Sequence, residues 1–324
     1  MIEENTPLFL HDCTVKLAKN IQVGDKLLNM SGEPVIVKST IVNLVKTSLV
    51  KTRGISYTIE KDGYVCVSPR KNTVYNLGDL IIINWWNDIG SNTKCFVDET
   101  DAKKFSSLLE DVQHVNMNLN TVEKLGEIFT DNYFSFDCDL FFDRKKYFPG
   151  LLVGLLVKFG HINKKGDICI SNNISTDHLN HIKNTIDKFA SIVGKKDKYV
   201  IVIDNIKHFT VFKSFITNGT DRIACNSSII QSNRHSMLAF LHGVEAYDNK
   251  IKVYDKYNQF IIKTICAILN IKFSLKNNKI IFYPESKPSN SVSIKDGVNK
   301  LMVNISLEYK DTYLTTDMIP ICSD

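Results

Sequence analysis

The feature that most constrains this chain is an internal repeat. Residues 147–287 run through one order of segments twice. The first copy is an apolar helix (FPGLLVGLLVKFG), a strand (DICISN), a long helix (STDHLNHIKNTIDKFASIVG) and strands (KYVIVID, HFTVFK). The second is an apolar helix (HSMLAFLHGVEA), a strand (KIKVYD), a helix (KYNQFIIKTICAILN) and strands (KFSLK, KIIFYP). Such repetition implies two units related by a pseudo-two-fold axis. The flanks are different. Residues 1–85 are short β-type runs (LFL, KLL, VIVKSTIVNLV, ISYTIE, YVCVS, LIIIN) separated by turns such as SGEP, TRG and KDG. Residues 100–131 have apolar residues at helical spacing. Residues 296–324 return to β character with LMVNISLEY, TYLTT and MIPIC. The expected layout is a β frame, 1–143 and 288–324, interrupted by an α/β segment over 144–287.

Charge follows the same division. Of 40 basic and 35 acidic residues, 23 and 10 fall in 144–287, a net of +13 against −8 for the remainder. A basic segment in an acidic frame is the footprint of a nucleic-acid-binding insert. The alternative is an ordinary Lys-rich solvated surface. No run approaches the ~18 apolar residues of a membrane span, and the N-terminus has no apolar signal region. Eight cysteines are scattered without a CxxC pair, which favours free thiols in a reducing compartment, nuclear or cytoplasmic. His178 and His181, one helical turn apart, are read as a solvated helix face. Trp85 and Trp86 are read as core or interface aromatics.

The two apolar helices resemble the LAGLIDADG motif of homing endonucleases. The first match is Leu152 to Gly160 and the second is Leu238 to Ala246. In that family the motif helices pack across the pseudo-dyad, and the eighth position of each delivers an acid that holds Mg²⁺. The resemblance places Phe159 and Glu245 there, so one catalytic and metal-binding acid of two is lost. It also implies a DNA-binding saddle of strands, with Lys164, Lys165, Lys250 and Lys252 as candidate contacts beside Lys158 in the first motif. Lys195, Lys196 and Lys198 are candidates for phosphate contact or for solvent.

The β frame resembles the Hint domain of inteins, on NTPLFLHDCTVKLAKNIQVGDKLLN followed by MSGEPVIV. YFSFDCDL and FKSFITNGTDRI add similarity to the subfamily of the fungal vacuolar-ATPase intein and the mating-type-switching endonuclease. The family's splicing positions fall on Met1, Glu60, Gly63, Cys322, Ser323 and Asp324. A thioether at Met1 is no acyl acceptor, and Ser323 has no side-chain amide to cyclise. The fold class expected from the resemblance is therefore an all-β Hint domain interrupted by an α/β LAGLIDADG domain. The expected function is binding of double-stranded DNA by a monomer that does not splice and whose Mg²⁺-dependent nuclease activity is weakened or lost. An active site-specific endonuclease and a degenerate relic or protein-interaction module are the alternatives.

Overall fold

The computed structural model describes the chain apart from residues 54, 111–113, 136–147, 165–166, 172, 188–189, 196–197, 204–215, 219–222, 246–250, 253–255, 277–278, 284–288, 290, 310 and 324. The chain divides into two compact units, Met1–Cys138 with Pro288–Asp324, and Asp139–Lys287. No helix among the described residues is long and apolar enough to cross a membrane.

The first unit is built on two long strands, Pro34–Thr52 and Val292–Leu307, which pair antiparallel from Thr52–Val292 to Val37–Leu307. Strand Ile55–Glu60 pairs with Pro34–Thr52, and Ile2–Glu3 bridges Ile55–Glu60 to Val292–Leu307. The four strands thus close on themselves, which removes free edges from the centre of the unit. A bulge interrupts the long ladder between Asp296 and Asn299. There the buried Thr47 hydroxyl donates to the Val298 carbonyl at 2.6 Å. A side chain at Gly297 would come within 2.5 Å of Thr47 Oγ1, so the bulge requires glycine.

The polar turns of the opening segment hold their shape by side-chain capping. Asp25 accepts from the Gln22 amide and from Lys16 Nζ, both at 2.7 Å, while Gly24 takes φ +87°. Asn29 Oδ1 accepts from the amides of Ser31 and Glu33 around Gly32. Among the described residues the unit also holds two two-stranded sheets, Pro7–Phe9 with Val15–Leu17 and Thr312–Leu314 with Pro320–Cys322, and two three-stranded ones. One contains Thr73–Leu77, Leu80–Asn87 and Gly90–Phe96, and the other contains Val115–Asn118, Tyr64–Pro69 and Tyr133–Ser135. The helical stretch expected over 100–131 is three helices, Glu99–Glu110, Leu119–Leu125 and Glu127–Asn132, interrupted by the strand at 115–118. Trp85 packs edge-on against Phe105, with centroids 5.1 Å apart, and both rings are half-buried.

The second unit contains the repeat. In the first copy, strands Ile168–Ser171, Lys198–Ile203 and Ala190–Lys195 lie side by side in that order, with Gly160–Ile162 added at the outer edge. In the second, Ile251–Lys252, Lys279–Tyr283 and Lys272–Lys276 take the same order. Each copy has one helix between its first and second strands, Thr176–Ile186 and Lys256–Ile268. The long helix expected over 175–194 is shorter than its sequence pattern. It ends at Ile186, and Ala190–Lys195 is a strand paired along its whole length with Lys198–Ile203. The β-branched Ile192 and Val193 fit that pleated ladder better than a helix interior.

Candidate nucleic-acid interface

Helices Gly150–Phe159 and Arg234–Glu245 form the centre of the second unit. The first is apolar along its length, and Leu152 to Val157 are all buried. The two backbones touch. A Cβ added at Gly154 would run into the Phe240 carbonyl and lie 2.9 Å from Gly243 Cα and 3.0 Å from Val244 N. A Cβ at Gly243 would lie 2.5 Å from the Leu151 carbonyl oxygen, 2.9 Å from Leu155 N and 3.0 Å from Gly154 Cα. Each glycine therefore meets the carbonyl three residues before the other and the amide one residue after it. That reciprocity is two-fold symmetry at the level of single atoms. Gly150 makes a further close approach, to Ser236, whose hydroxyl accepts from the Phe148 amide at 3.1 Å.

These contacts set the register between the copies, and it differs from the sequence match. Gly154 is related to Gly243, an offset of 89 residues, whereas pairing Leu152 with Leu238 gives 86. Under the observed offset Glu245 is the counterpart of Leu156, which is buried in the helix pair. Glu245 is therefore not the dyad mate of Phe159. Its carboxylate lies 4.0 Å from Nδ1 of His242, one turn earlier. Continued along the sequence, the offset carries Phe159 onto Asp248, which lies outside the described residues. Phe159 itself is half-buried, with its ring 6.4 Å from that of His178. His178 and His181 sit on one helix, Thr176–Ile186, and burial, followed by His178 itself, lowers the pKa of His181.

The described residues at the helix ends do not make a Mg²⁺ site. Phe159 offers no oxygen, and Glu245 offers one carboxylate beside an imidazole. Among the described residues, no group of three or more His, Cys, Asp or Glu side chains converges.

The lysines fall at corresponding places in the two sheets. Strand register pairs Lys195 with Lys198 in the first copy and Lys276 with Lys279 in the second. Each is the last register pair of its ladder. Lys279 is also paired with Lys252, and the corresponding position beside Lys198 is Ser171. Lys164 is exposed and Lys158 is half-buried. Lys165 and Lys250 lie outside the described residues. The sequence reading missed Lys276 and Lys279. The signal was present, since a two-residue polar turn between alternating strands (KFSLKNNKIIFYP) is a hairpin pattern that puts both lysines at its closing pair.

In the first unit, the structure brings two of the splicing-equivalent positions together. The Met1 amine lies 3.9 Å from Glu60 Oε2. Gly63 is buried, and its amide donates to the Glu60 carbonyl. Cys322 pairs with Thr312. Ser323 is buried, with its amide donating to the Asp311 carbonyl and its hydroxyl accepting from the Asp311 amide. Asp324 lies outside the described residues.

No known family model and no curated protein matches the chain.

Proposed function

We propose that this chain is an intein-derived protein of the LAGLIDADG class. It binds duplex DNA through residues 139–287, does not splice, and has weakened or lost nuclease activity. On this reading the first unit is a Hint-like frame and the second an endonuclease-like insert. The observation that carries the proposal is the reciprocal packing of Gly154 and Gly243, because a pair of motif helices crossing on small residues is what the family resemblance requires. Identical sheet order in the two copies and the paired lysines at both hairpin ends support it further. The Gly154–Gly243 offset of 89 residues supports Asp248 as the sequence counterpart of Phe159, beside Glu245 from the motif match.

Selection of bound sequences from a random duplex pool, with and without Mg²⁺, tests the reading. Recovery of a shared sequence without cut ends is the expected result. Cut ends that depend on Mg²⁺ and vanish with Asp248→Asn favour an active endonuclease instead. Failure to enrich any duplex refutes the proposal.

A further inference from the structure

We propose that the first copy of the repeat reads thymine methyl groups through Val193 and Val202, so that the two halves of the bound duplex are read by different chemistry. This inference rests on the nucleic-acid reading and deepens it. In the ladder of Ala190–Lys195 with Lys198–Ile203, Val193 is opposite Val200 and Ser191 is opposite Val202. Side chains alternate between the two faces of a strand. Register therefore puts Ser191, Val193 and Val202 on the face of the Lys195–Lys198 pair, and Ala190, Ile192 and Ile201 on the other. Ala190 and Ile201 are buried, whereas Val193 is 46% and Val202 43% exposed. On the same face as these two, Val200 is buried, with Val193 on one side of it and Cys169 on the other. The lysine-bearing face thus presents two valines to solvent.

The second copy differs at the same register. Its ladder of Lys272–Lys276 with Lys279–Tyr283 ends on Lys276–Lys279, as the first ends on Lys195–Lys198. Counting back from those pairs, Ser274 takes the place of Val193, and Lys272 takes the place of Ser191. Ser274 and Lys272 are both exposed. One copy therefore offers an apolar surface beside its lysines, and the other offers a hydrogen-bonding one.

Charge and shape choose the occupant. The face carries Lys198, in a segment (residues 144–287) whose net charge is +13, so it attracts a polyanion. The DNA major groove admits a two-stranded β-ribbon, and the thymine C5-methyl is the apolar group displayed there. A valine side chain makes no hydrogen bond, so it distinguishes bases by that methyl. Diagonal neighbours across a ladder, as Val193 and Val202 are, stand roughly 7–8 Å apart. That is about two base steps at 3.4 Å each, so the pair favours two thymines two steps apart. In the other copy, Lys272 matches the O6 and N7 acceptors of guanine instead.

The test uses the full chain and a duplex selected from a random pool. That duplex is resynthesised with deoxyuridine in place of thymidine, one position at a time. Deoxyuridine pairs as thymidine does and lacks only the methyl group. The expected result is a loss of affinity at two thymines, two steps apart, in one half of the site. Each loss is about fourfold, the equivalent of ~0.8 kcal/mol for one buried methyl-sized group. Thymines in the other half tolerate the change. Replacing both valines, Val193→Ala with Val202→Ala, abolishes the difference between thymine and uracil and leaves the salt slope unchanged. Both positions are exposed, so this variant keeps its fold, which thermal unfolding checks. A duplex that binds with salt dependence but tolerates uracil at every position would overturn this inference and leave the nucleic-acid reading intact. A uracil effect that persists in the double variant would overturn it as well. If no duplex is enriched, the nucleic-acid reading itself fails and this inference falls with it.

Discussion

Gly154→Ala separates close helix packing from an ordinary helix glycine. In an uncrowded helix, alanine stabilises relative to glycine by about 1 kcal/mol. Here the new methyl group enters the Phe240 carbonyl and approaches Gly243 Cα to 2.9 Å. Ordinary contact begins at 3.4 Å, so the helices must part by at least half an ångström along that line. Overpacking of this kind costs about 1–3 kcal/mol. The net expectation, after the propensity gain, is destabilisation by up to about 2 kcal/mol. Both tryptophans, Trp85 and Trp86, belong to the first unit, so tryptophan emission reports on the wrong unit. Hydrogen exchange of peptides covering 150–159 and 234–245 is the suitable assay. Protection there should fall roughly tenfold, the equivalent of ~1.4 kcal/mol. Gly194→Ala is the control, since its methyl would meet only the Tyr199 ring at 3.8 Å. Increased protection in Gly154→Ala would refute the packing argument, and with it the register that relates Gly154 to Gly243.

Further outcomes follow from single side chains. Asn258 is buried, accepts from the Cys225 amide and donates to the Ile223 carbonyl. Asn258→Leu leaves both backbone groups unpaired at about 1–3 kcal/mol each, and thermal unfolding of the second unit should move down accordingly. At Asp25, burial raises the pKa, but the Lys16 and Gln22 hydrogen bonds and the Lys16 charge outweigh it and hold the carboxyl below its ordinary value. Because the folded pKa is the lower one, this stabilisation is complete above pH ~4 and is lost as pH falls through the depressed value. Asp25→Asn should flatten the acid limb of a stability–pH curve, lowering the plateau above pH ~5 and leaving the acid end nearly unchanged. Burial pushes the thiols of Cys225 and Cys266 well up, while Cys95 is exposed. A thiol reagent at neutral pH should label Cys95 in the native protein, and reach Cys225 and Cys266 only on unfolding.

Much of the architecture is legible in the sequence, for physical reasons. Runs such as VIVKSTIVNLV and ISYTIE are strands because β-branched residues fill a pleated ladder, and the SGEP turn is marked by Asn29, Gly32 and Pro34. The segment 190–195 is not legible. Its helix-like apolar spacing continues that of Thr176–Ile186, and only pairing with Lys198–Ile203 decides its state. The motif register fails for a related reason. Leucines spaced three and four apart match a helical nonapeptide in several frames, so sequence similarity selected the frame ending on Glu245. The contact between Gly154 and Gly243 selects another frame, and that contact joins residues 89 positions apart. Lys276 and Lys279, by contrast, are legible as the closing pair of the hairpin pattern KFSLKNNKIIFYP rather than from local charge density.

The central claim is that the paired lysines serve a polyanion. The direct measurement is the affinity of the full chain for a duplex as a function of salt. Phosphate contacts give a linear fall of log K with log salt, with a slope near −0.9 for each phosphate neutralised. The account predicts such a fall. It also predicts a shallower slope, by about one unit for each lysine engaged, when Lys195, Lys198, Lys276 and Lys279 are replaced by alanine. Affinity that is absent, or that does not respond to salt or to these four substitutions, would contradict it.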